Sequence, residues 1–320
     1  MNSRPVLEVG GTHVLASRVD ARTWQVLPGS AHRLPLDSGG TAAAILATLA
    51  AGARRVHPRP AETLAVAVPG PFDYAAGLGR FRDVDKFDAL AGVDVGRALR
   101  DRLAPPPARI AFVNDAEAFG LGEWLVGAAR GYQRAVAITL GTGVGSAFVA
   151  AGRIVSGGPA VPSDGHVYQL TVGDRPLEET VSRRAIVAAY HRLAPGAADG
   201  SLDVSDIAAL ARGGDAAAAR VFGEAFWALG AALRPWLARF GAQALVVGGG
   251  ITASWPLIEA PLRRGLAELA GELVIVTSSD PAAATAAGAA WHSRAAGTHA
   301  PAGTGTSAGT LTASTGPGGR

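Results

Sequence analysis

The sequence predicts an α/β protein of two lobes, in which helices flank mixed sheets and a cleft lies between the lobes. Segments rich in Val and Leu alternate with Ala-rich segments of helical periodicity up to about residue 294. A Gly-rich turn between two apolar strands occurs twice, as Val9-Gly10-Gly11-Thr12 and as Leu140-Gly141-Thr142-Gly143. Two similar halves would explain this repeat, and 320 residues with 48% hydrophobic content suffice for two domains of ordinary size.

The individual elements follow from the period of the apolar residues and from the Gly and Pro residues that separate them. The predicted strands are 5–9, 13–19, 63–68, 109–113, 135–140, 145–150, 244–248 and 273–276. The predicted helices are 40–54, 87–103, 115–128, 182–193, 204–212, 215–239, 255–269 and 281–293. Residues 296–320 consist almost entirely of Gly, Ser, Thr, Ala and Pro, so they are predicted to form a disordered tail.

The composition excludes several classes of protein. The chain has no Cys, which rules out disulfides, thiolate nucleophiles and Cys-based zinc sites. The net charge is only +3 and the Arg residues are scattered, so we expect no nucleic-acid partner. The apolar stretches 63–69 and 244–247 are far shorter than the roughly 20 residues of a membrane-spanning helix, and no signal-peptide pattern opens the sequence. We therefore expect no membrane association and a cytoplasmic location.

The two Gly-rich turns place backbone N–H groups and a Thr hydroxyl at the tip of a hairpin, where they could hold phosphate oxygens. A dinucleotide-binding fingerprint is a poor fit, because it needs a helix after the glycines whereas Ser146-Ala147-Phe148-Val149 is predicted to be a strand. A Walker A loop is missing, since Gly-Lys-Ser/Thr does not occur. Ordinary hairpin turns that use Gly for positive φ are the alternative, and the repetition favours phosphate binding.

An acidic residue stands where the predicted strand 109–113 meets the helix that follows it, in Phe112-Val113-Asn114-Asp115-Ala116. Asn114 and Asp115 could simply cap that helix. A carboxylate at the carboxyl end of a strand also faces the crevice of an open α/β sheet, where it could accept the proton of an attacking hydroxyl. Phosphoryl transfer needs such a base together with phosphate-binding amides and a divalent cation, so the hairpins favour the catalytic interpretation of Asp115.

Together these motifs resemble the ROK family of sugar kinases, which belongs to the superfamily of sugar kinases, Hsp70 and actin. The resemblance runs from about residue 5 to 294 and rests on the order and spacing of the motifs. They are Glu8-Val9-Gly10-Gly11-Thr12, Val68-Pro69-Gly70-Pro71, Asn114-Asp115-Ala116, Leu140-Gly141-Thr142-Gly143-Val144-Gly145, Asp164-Gly165-His166, Leu177-Glu178 and Gly248-Gly249-Gly250. The resemblance implies an actin-like ATPase (ribonuclease H-like) fold. Residues 1–116 and the C-terminal helix 281–294 would form a small lobe, and residues 117–280 a larger one.

The resemblance also implies an activity, the ATP-dependent phosphorylation of a hydroxyl on a hexose or hexose-like polyol. Asp115 would be the catalytic base. The residues implied to contact the substrate are Pro69, Gly70, Asn114, Asp164, His166 and Glu178. Those implied to lie against Mg-ATP are Glu8, Gly10, Gly11, Thr12, Gly141, Thr142, Gly143, Gly248, Gly249 and Gly250, with Glu8 holding Mg²⁺ through water.

Three positions depart from the family pattern. Family members usually carry Asp where this chain has Glu8, and the longer carboxylate shifts the negative charge by about one C–C bond. Many members bind structural zinc through Cys residues that segment 172–176 lacks, so we expect no structural zinc. The family's usual Gly-Glu-x-Gly-His is replaced by Pro162-Ser163-Asp164-Gly165-His166, which alters a residue that commonly contacts the anomeric end of the sugar.

The altered segment leaves the substrate open. Some kinases that resemble this family phosphorylate C7 cyclitols of the valiolone type on pathways to pseudo-sugars, so a cyclitol is the leading alternative to a hexose. A non-catalytic sugar-binding protein of the same fold is a further alternative. A sugar-sensing repressor is disfavoured, because the first strand begins about five residues from Met1 and leaves no room for a helix-turn-helix before it. The resemblance also favours a homodimer.

Overall fold

The computed structural model describes residues 2–82, 84, 86–196 and 202–295. Its strands are β1 (Ser3–Val9), β2 (His13–Asp20), β3 (His32–Pro35), β4 (Thr63–Val68), β5 (Phe72–Asp73), β6 (Leu78–Gly79), β7 (Arg109–Asn114), β8 (Arg134–Leu140), β9 (Val144–Ala150), β10 (Arg153–Ile154), β11 (Thr171–Val172), β12 (Arg175–Pro176), β13 (Ala244–Gly248) and β14 (Val274–Thr277). Its α-helices are α1 (Ala42–Arg55), α2 (Val95–Arg100), α3 (Asp115–Leu125), α4 (Glu178–Val181), α5 (Arg183–Leu193), α6 (Val204–Arg212), α7 (Ala216–Phe240), α8 (Trp255–Leu266) and α9 (Pro281–Ala295). The predicted tail 296–320 lies outside the described residues.

Two five-stranded sheets carry the fold, and they have the same connectivity. The first has the order β3-β2-β1-β4-β7 and the second the order β10-β9-β8-β13-β14. In each sheet a hairpin forms the antiparallel part, and two later strands add in parallel to the first strand of that hairpin. The α/β architecture and the two similar halves predicted from the repeated Gly turns are confirmed.

Helices α3 and α9 cross between the two sheets at very short range. A Cβ atom on Gly122 of α3 would overlap the carbonyl group of Ala284, and one on Gly288 of α9 would overlap the carbonyl oxygen of Ala118. Apolar residues of this helix pair pack on both sheets, so one small core lies on each side of it. Because α9 contacts both sheets, the lobe boundary at residue 116 and the assignment of α9 to the first lobe remain predictions.

The outer faces of the sheets are covered by the other helices. Helix α1 packs on the outer face of the first sheet, and α7, α8, α5 and α6 build the largest core with the second. Among the described residues one helix, α7, is long and apolar enough to cross a membrane, but half of its most apolar window is buried. Phe222 and Phe226 of α7 are fully buried in the core, whereas Trp227 is 49% exposed. A core role therefore explains the apolar character of α7.

The predicted helix 87–103 is wrong. A 3₁₀ turn covers Asp88–Leu90, and α2 begins only at Val95. Gly92 has φ +76°, which ends the first turn, and Asp94 caps α2 by accepting the N–H of Arg97. Strand β3 was not predicted, because it has only four residues, none of them buried, and Leu34 is its one large apolar side chain.

Candidate active site

The first Gly-rich turn is the tip of the β1–β2 hairpin. Val9 pairs with Val14 across the ladder, and the N–H of Gly10 donates to the carbonyl oxygen of His13 at 2.9 Å. The carbonyl of Gly11 accepts the N–H of Ser38 at 3.2 Å, so the segment after β3 supports the tip from one side. The hydroxyl of Thr12 lies 3.2 Å from Nδ1 of His13. The tip is thus a fixed turn with polar groups on its exposed side.

The second Gly-rich turn has the same construction between β8 and β9. Leu140 pairs with Val144, and the N–H of Gly141 donates to the carbonyl oxygen of Gly143 at 3.1 Å. The N–H of Arg183, the first residue of α5, donates to the carbonyl oxygen of Gly141 at 2.9 Å. Both predicted hairpins are therefore present, and each is supported by a segment outside its own strands.

Glu178 lies against the second hairpin. Its Oε2 accepts the N–H of Val144 at 3.0 Å, and a Cβ atom on Gly143 would come within 2.8 Å of that oxygen. The sequence resemblance assigns Glu178 to the substrate, and the structure adds a hydrogen bond that fixes one of its carboxylate oxygens on the hairpin. Gly143 lets this carboxylate lie close to the turn, and a side chain there would displace Glu178 from its bond with Val144.

Asn114 and Asp115 stand at the junction of β7 and α3. Oδ1 of Asn114 accepts the N–H groups of Ala116 and Glu117, so Asn114 is the helix cap. Nδ2 of Asn114 donates to the hydroxyl of Tyr74 at 2.9 Å. Asp115 follows the cap, and its Oδ1 accepts the N–H of Ala116 at 2.9 Å. The capping alternative therefore applies to Asn114, and one oxygen of Asp115 makes a bond at the helix start.

Burial raises the pKa of Asp115, and the positive charge of Lys86 partly offsets that rise. A raised pKa makes the carboxylate a better proton acceptor. Lys86 is the single Lys of the sequence. The next residue, Phe87, is fully buried in the left-handed region at φ +60°, and its N–H donates to the carbonyl oxygen of Ser38 at 2.7 Å. Since Ser38 also bonds Gly11, the backbone beside Lys86 is anchored next to the first hairpin.

Glu8 lies on β1, opposite Leu15 and Ala67. Burial, together with the charges of Asp115 and Asp280, raises the pKa of Glu8 to about 7, and Arg33 partly opposes the rise. Oε2 of Glu8 is buried, and no residue in the described part of the chain gives it a hydrogen bond. A buried carboxylate oxygen without a partner is costly unless it meets a cation or a proton.

The carboxylates of Glu8 and Asp115 fit Mg²⁺. Hard oxygen donors are what Mg²⁺ prefers, and it is commonly held by one or two carboxylates together with waters and substrate phosphates. Within residues 2–82, 84, 86–196 and 202–295 there is no group of three or more His, Cys, Asp and Glu side chains arranged to hold a metal by themselves. The orphaned Oε2 of Glu8 beside Asp115 is therefore suited to a metal ion that arrives with a nucleotide.

The substrate side of the site begins at Pro69 and Gly70, directly after β4. A Cβ atom on Gly70 would lie 3.3 Å from the hydroxyl of Tyr74 and 3.9 Å from Nδ2 of Asn114. Burial raises the pKa of Tyr74, and the charges of Asp115, Glu117 and Tyr168 add to the rise. Burial, with the charge of Asp115, also raises the pKa of Glu117 to about 7.

Tyr74, Glu117 and Lys86 were missed by the sequence reasoning. Tyr74 reaches Asn114 across 40 positions of sequence, which no local pattern reveals. Glu117 in the first turn of a helix is ordinary, because carboxylates are stabilised there by the helix dipole. The one available signal was that Lys86 is the only Lys in a chain that otherwise uses Arg.

The segment with Asp164 and His166 is anchored to β9. The buried hydroxyl of Ser146 donates to the carbonyl oxygen of Gly165 at 2.6 Å and accepts the N–H of Val167 at 3.1 Å. His166 is therefore held between two bonds, and its ring lies 5.2 Å from that of Tyr168. Burial lowers the pKa of His166, so its ring is neutral at neutral pH, although Asp164 partly opposes the shift. Asp164 itself is exposed and has φ +55°.

The three glycines after β13 have different surroundings. A Cβ atom on Gly248 would overlap the ring of Phe119, and one on Gly249, which has φ +92°, would overlap the carbonyl oxygen of Leu140. Gly250 has no atom within 4 Å of such a position. Close packing against α3 and β8 thus explains Gly248 and Gly249, and Gly250 is the one that faces open space.

A groove of about 670 Å³ runs from Thr142 along one side of α5. Arg183, Arg184 and His191 line it together with the apolar side chains of Val187 and Leu202. Nε of Arg183 bonds Oδ1 of Asp203 at 2.6 Å. This groove combines cationic and apolar walls beside the second hairpin, and it was not predicted from the sequence.

Comparisons with known proteins identify the relatives of this chain. The family model described as "ROK family" matches residues 6–295. The glucokinase of Thermotoga maritima is 30% identical over 214 residues, which are 61% of this chain and 66% of that protein, so the match spans just under two thirds of the relative. The ROK hexokinase of Thermus thermophilus has a TM-score of 0.71 at 24% identity, covering 91% of this chain and 97% of that one. A ROK family glucokinase from Streptomyces griseus, solved in complex with glucose and AMPPNP, has a TM-score of 0.70 at 24% identity, covering 90% and 98%.

Proposed function

This chain belongs to the ROK family, and from that membership we propose that it transfers the γ-phosphoryl group of ATP to a hydroxyl of a hexose or hexose-like polyol. The observation that carries the proposal is the proximity of the predicted base to the first phosphate hairpin. The charge of Asp115 acts on Glu8, and Glu8 stands two residues before the tip at Gly10. A proton acceptor and a phosphate-binding turn at one place are what phosphoryl transfer to an alcohol requires.

In this proposal the two hairpins hold the phosphates. The N–H groups at residues 11–12 and 142–143 and the two Thr hydroxyls would bind the triphosphate, since the N–H groups of Gly10 and Gly141 already bond within their turns. Arg183 and Arg184 line the groove where the rest of the nucleotide would lie. The apolar walls at Val187 and Leu202 suit a flat base. Mg²⁺, when bound through Glu8 and water, would neutralise charge on the phosphate oxygens.

Asp115 orients the substrate hydroxyl and accepts its proton. Its raised pKa suits it to this role, because the carboxylate is poised closer to working pH than an exposed Asp. In this proposal Lys86 stabilises the negative charge of the phosphoryl group during transfer. Two observations support this role: the backbone beside Lys86 is anchored next to the first hairpin, and the charge of Lys86 acts on Asp115. Asn114, with Tyr74 behind it, and the loop that carries Asp164 and His166 would fix the other hydroxyls of the substrate.

The first experiment is ADP release from Mg-ATP with glucose, mannose, N-acetylated hexosamines and C7 cyclitols. Activity on a hexose supports a glucokinase-like enzyme. Activity on a cyclitol alone supports the valiolone-type alternative, which rests on the altered sequence of segment 162–166. If the protein binds a sugar but releases no ADP with any acceptor, it is a non-catalytic sugar-binding protein and the kinase proposal is wrong. A cytoplasmic location and a homodimer are part of the proposal.

A further inference from the structure

A second cavity lies in the first half of the molecule, away from the hairpins. It has a volume of about 520 Å³ and is lined by α2, the turn after Tyr74, the first residues of β7 and the last turn of α9. None of the residues predicted for the nucleotide, the substrate or the base lines it. A phosphorylated metabolite of hexose size would fit a space of this volume.

The walls of this cavity carry an excess of positive charge. Arg97 and Arg100 enter from α2, Arg109 from β7 and His292 from α9. Among the described residues Arg100 and Arg109 form no ion pair, and Arg97 has only a loose one with Asp101, at 3.8 Å between two exposed side chains.

The one carboxylate among the lining residues does not balance that charge. It is Asp94, and its Oδ1 accepts the backbone N–H of Arg97 as the cap of α2. Burial lowers the pKa of His292, and the nearby charge of Arg109 lowers it further, so His292 adds little positive charge of its own at neutral pH. Three arginines from two elements therefore line one space, with a single carboxylate among the lining residues.

The backbone adds further donors. β7 is the edge strand of its sheet, so one row of its N–H and C=O groups has no strand partner, and residues 109–112 line the cavity. At the inner end of this row the ring of Phe112 packs on the turn and on α2, since Cβ atoms on Gly77 and Gly96 would lie 2.9 Å and 3.3 Å from it. Only residues 109–112 of β7 line the cavity, and so short a length disfavours an added peptide strand and favours a compact ligand.

We propose that this cavity binds a small polyvalent anion of the phosphate-ester class, held by Arg97, Arg100 and Arg109. Guanidinium groups bind phosphate oxygens in pairs of parallel hydrogen bonds, and Arg is the residue best suited to that geometry. The site goes beyond the proposed function, because it lies outside the kinase machinery. It is nevertheless connected to that machinery: Tyr74 lines the cavity, and its hydroxyl accepts the hydrogen bond from Asn114, the neighbour of Asp115.

The test is direct binding, measured by isothermal titration calorimetry with inorganic phosphate, pyrophosphate and glucose 6-phosphate as probes. The variant Arg100→Ala/Arg109→Ala removes two of the three cavity arginines. The control Arg22→Ala/Arg212→Ala removes the same charge from exposed positions that do not line the cavity. Because each lost arginine removes a charged hydrogen bond to the anion, the cavity variant should bind at least one probe about tenfold more weakly or worse than the parent, with the control unchanged.

Equal affinities of the parent and the cavity variant for all three probes would overturn the site. An equal loss in the control would also overturn it, because the effect would then be one of net charge. Arg100→Gln/Arg109→Gln serves as a second variant that keeps the length of the side chains, and circular dichroism checks that each protein is folded. The probe that loses most affinity tells whether a free phosphate or a sugar phosphate is preferred. The titration needs no turnover, so a protein without kinase activity would still give a decisive result.

Discussion

The carboxylates of Glu8 and Asp115 lie close enough that the charge of Asp115 helps to raise the pKa of Glu8 to about 7. One stands on the strand that leads into the first Gly-rich tip, and the other begins the helix after β7. The β1–β4–β7 part of the first sheet brings them together, because the carboxyl ends of parallel strands meet at one edge. Two acidic groups thus share one place with few positive partners, and in the proposed function a Mg-nucleotide would supply the missing positive charge.

Asp115→Asn should abolish turnover and leave substrate binding nearly intact. The amide keeps the size of the side chain but cannot accept the proton of the hydroxyl, and a general base contributes about 10²–10⁴-fold to rate. Steady-state kcat and the Kd of the acceptor, measured by calorimetry, separate the two effects. Asp174→Asn, in an exposed loop, is the matched control and should retain full activity. A normal kcat in Asp115→Asn would show that Asp115 is not the catalytic base.

Lys86→Gln should lower kcat by about 10²-fold or more, as loss of one preorganised cationic donor does. The chain offers a second measurement that does not depend on rate, because Lys86 is its only Lys. An amine-specific acylating reagent can modify only Lys86 and the amino terminus, and mass spectrometry distinguishes the two products. Mg-ATP should protect Lys86 and leave labelling of the amino terminus unchanged. Equal labelling of Lys86 with and without nucleotide would argue that this side chain does not face the phosphates.

Glu8 should make the ligand-free protein less stable as the pH rises. Its pKa is 4.5 in an ordinary environment and about 7 in the folded chain, so the folded state favours the protonated form. The stabilisation is fully present below pH 4.5 and is lost as the pH rises through about 7, by up to about 3 kcal/mol for a shift of this size. Urea unfolding at pH 5, 6, 7 and 8 measures it.

The variant Glu8→Gln should remove this part of the pH dependence and be more stable than the parent at pH 8. Glu117, whose pKa is also raised to about 7, contributes with the same sign, so some dependence should persist in the variant. Glu272→Gln, at an exposed position, should follow the parent. Parallel curves for the parent and Glu8→Gln would show that Glu8 is not the titrating group.

Gly249→Ala should destabilise the fold, and Gly250→Ala should not. The new methyl at 249 meets the carbonyl oxygen of Leu140 and fixes an Ala at φ +92°, and the strain and overlap together cost about 2–4 kcal/mol. At 250 the methyl enters open space, so the free energy of unfolding should change little. Chemical denaturation of both variants tests the pair, and a larger loss at 250 would contradict the packing described here.

The sequence was enough to predict the strands that carry the site, because buried strands and their Gly turns are local patterns. The prediction of a helix at 87–103 failed for an equally local reason. Gly92 has a positive φ, which the periodicity of apolar residues does not reveal. The site itself was predicted only where motifs mark it. Tyr74 and the groove lined by Arg183 and Arg184 depend on segments that meet only in the folded chain, so no spacing along the sequence indicates them.

Ser146 positions the loop that carries His166, so its loss should affect the acceptor more than ATP. Its buried hydroxyl bonds the residues on both sides of His166, and Ser146→Ala leaves the carbonyl of Gly165 and the N–H of Val167 without that partner. We expect a cost of about 1–3 kcal/mol in stability and a rise in the KM of the polyol, with the KM of ATP nearly unchanged. Ser293→Ala removes another buried hydroxyl, which bonds only the carbonyl of Ala290, and should leave both KM values at their parent levels. Because a general loosening of the fold would raise both KM values in either variant, a rise confined to the polyol in Ser146→Ala would identify the loop of His166 as part of the acceptor site.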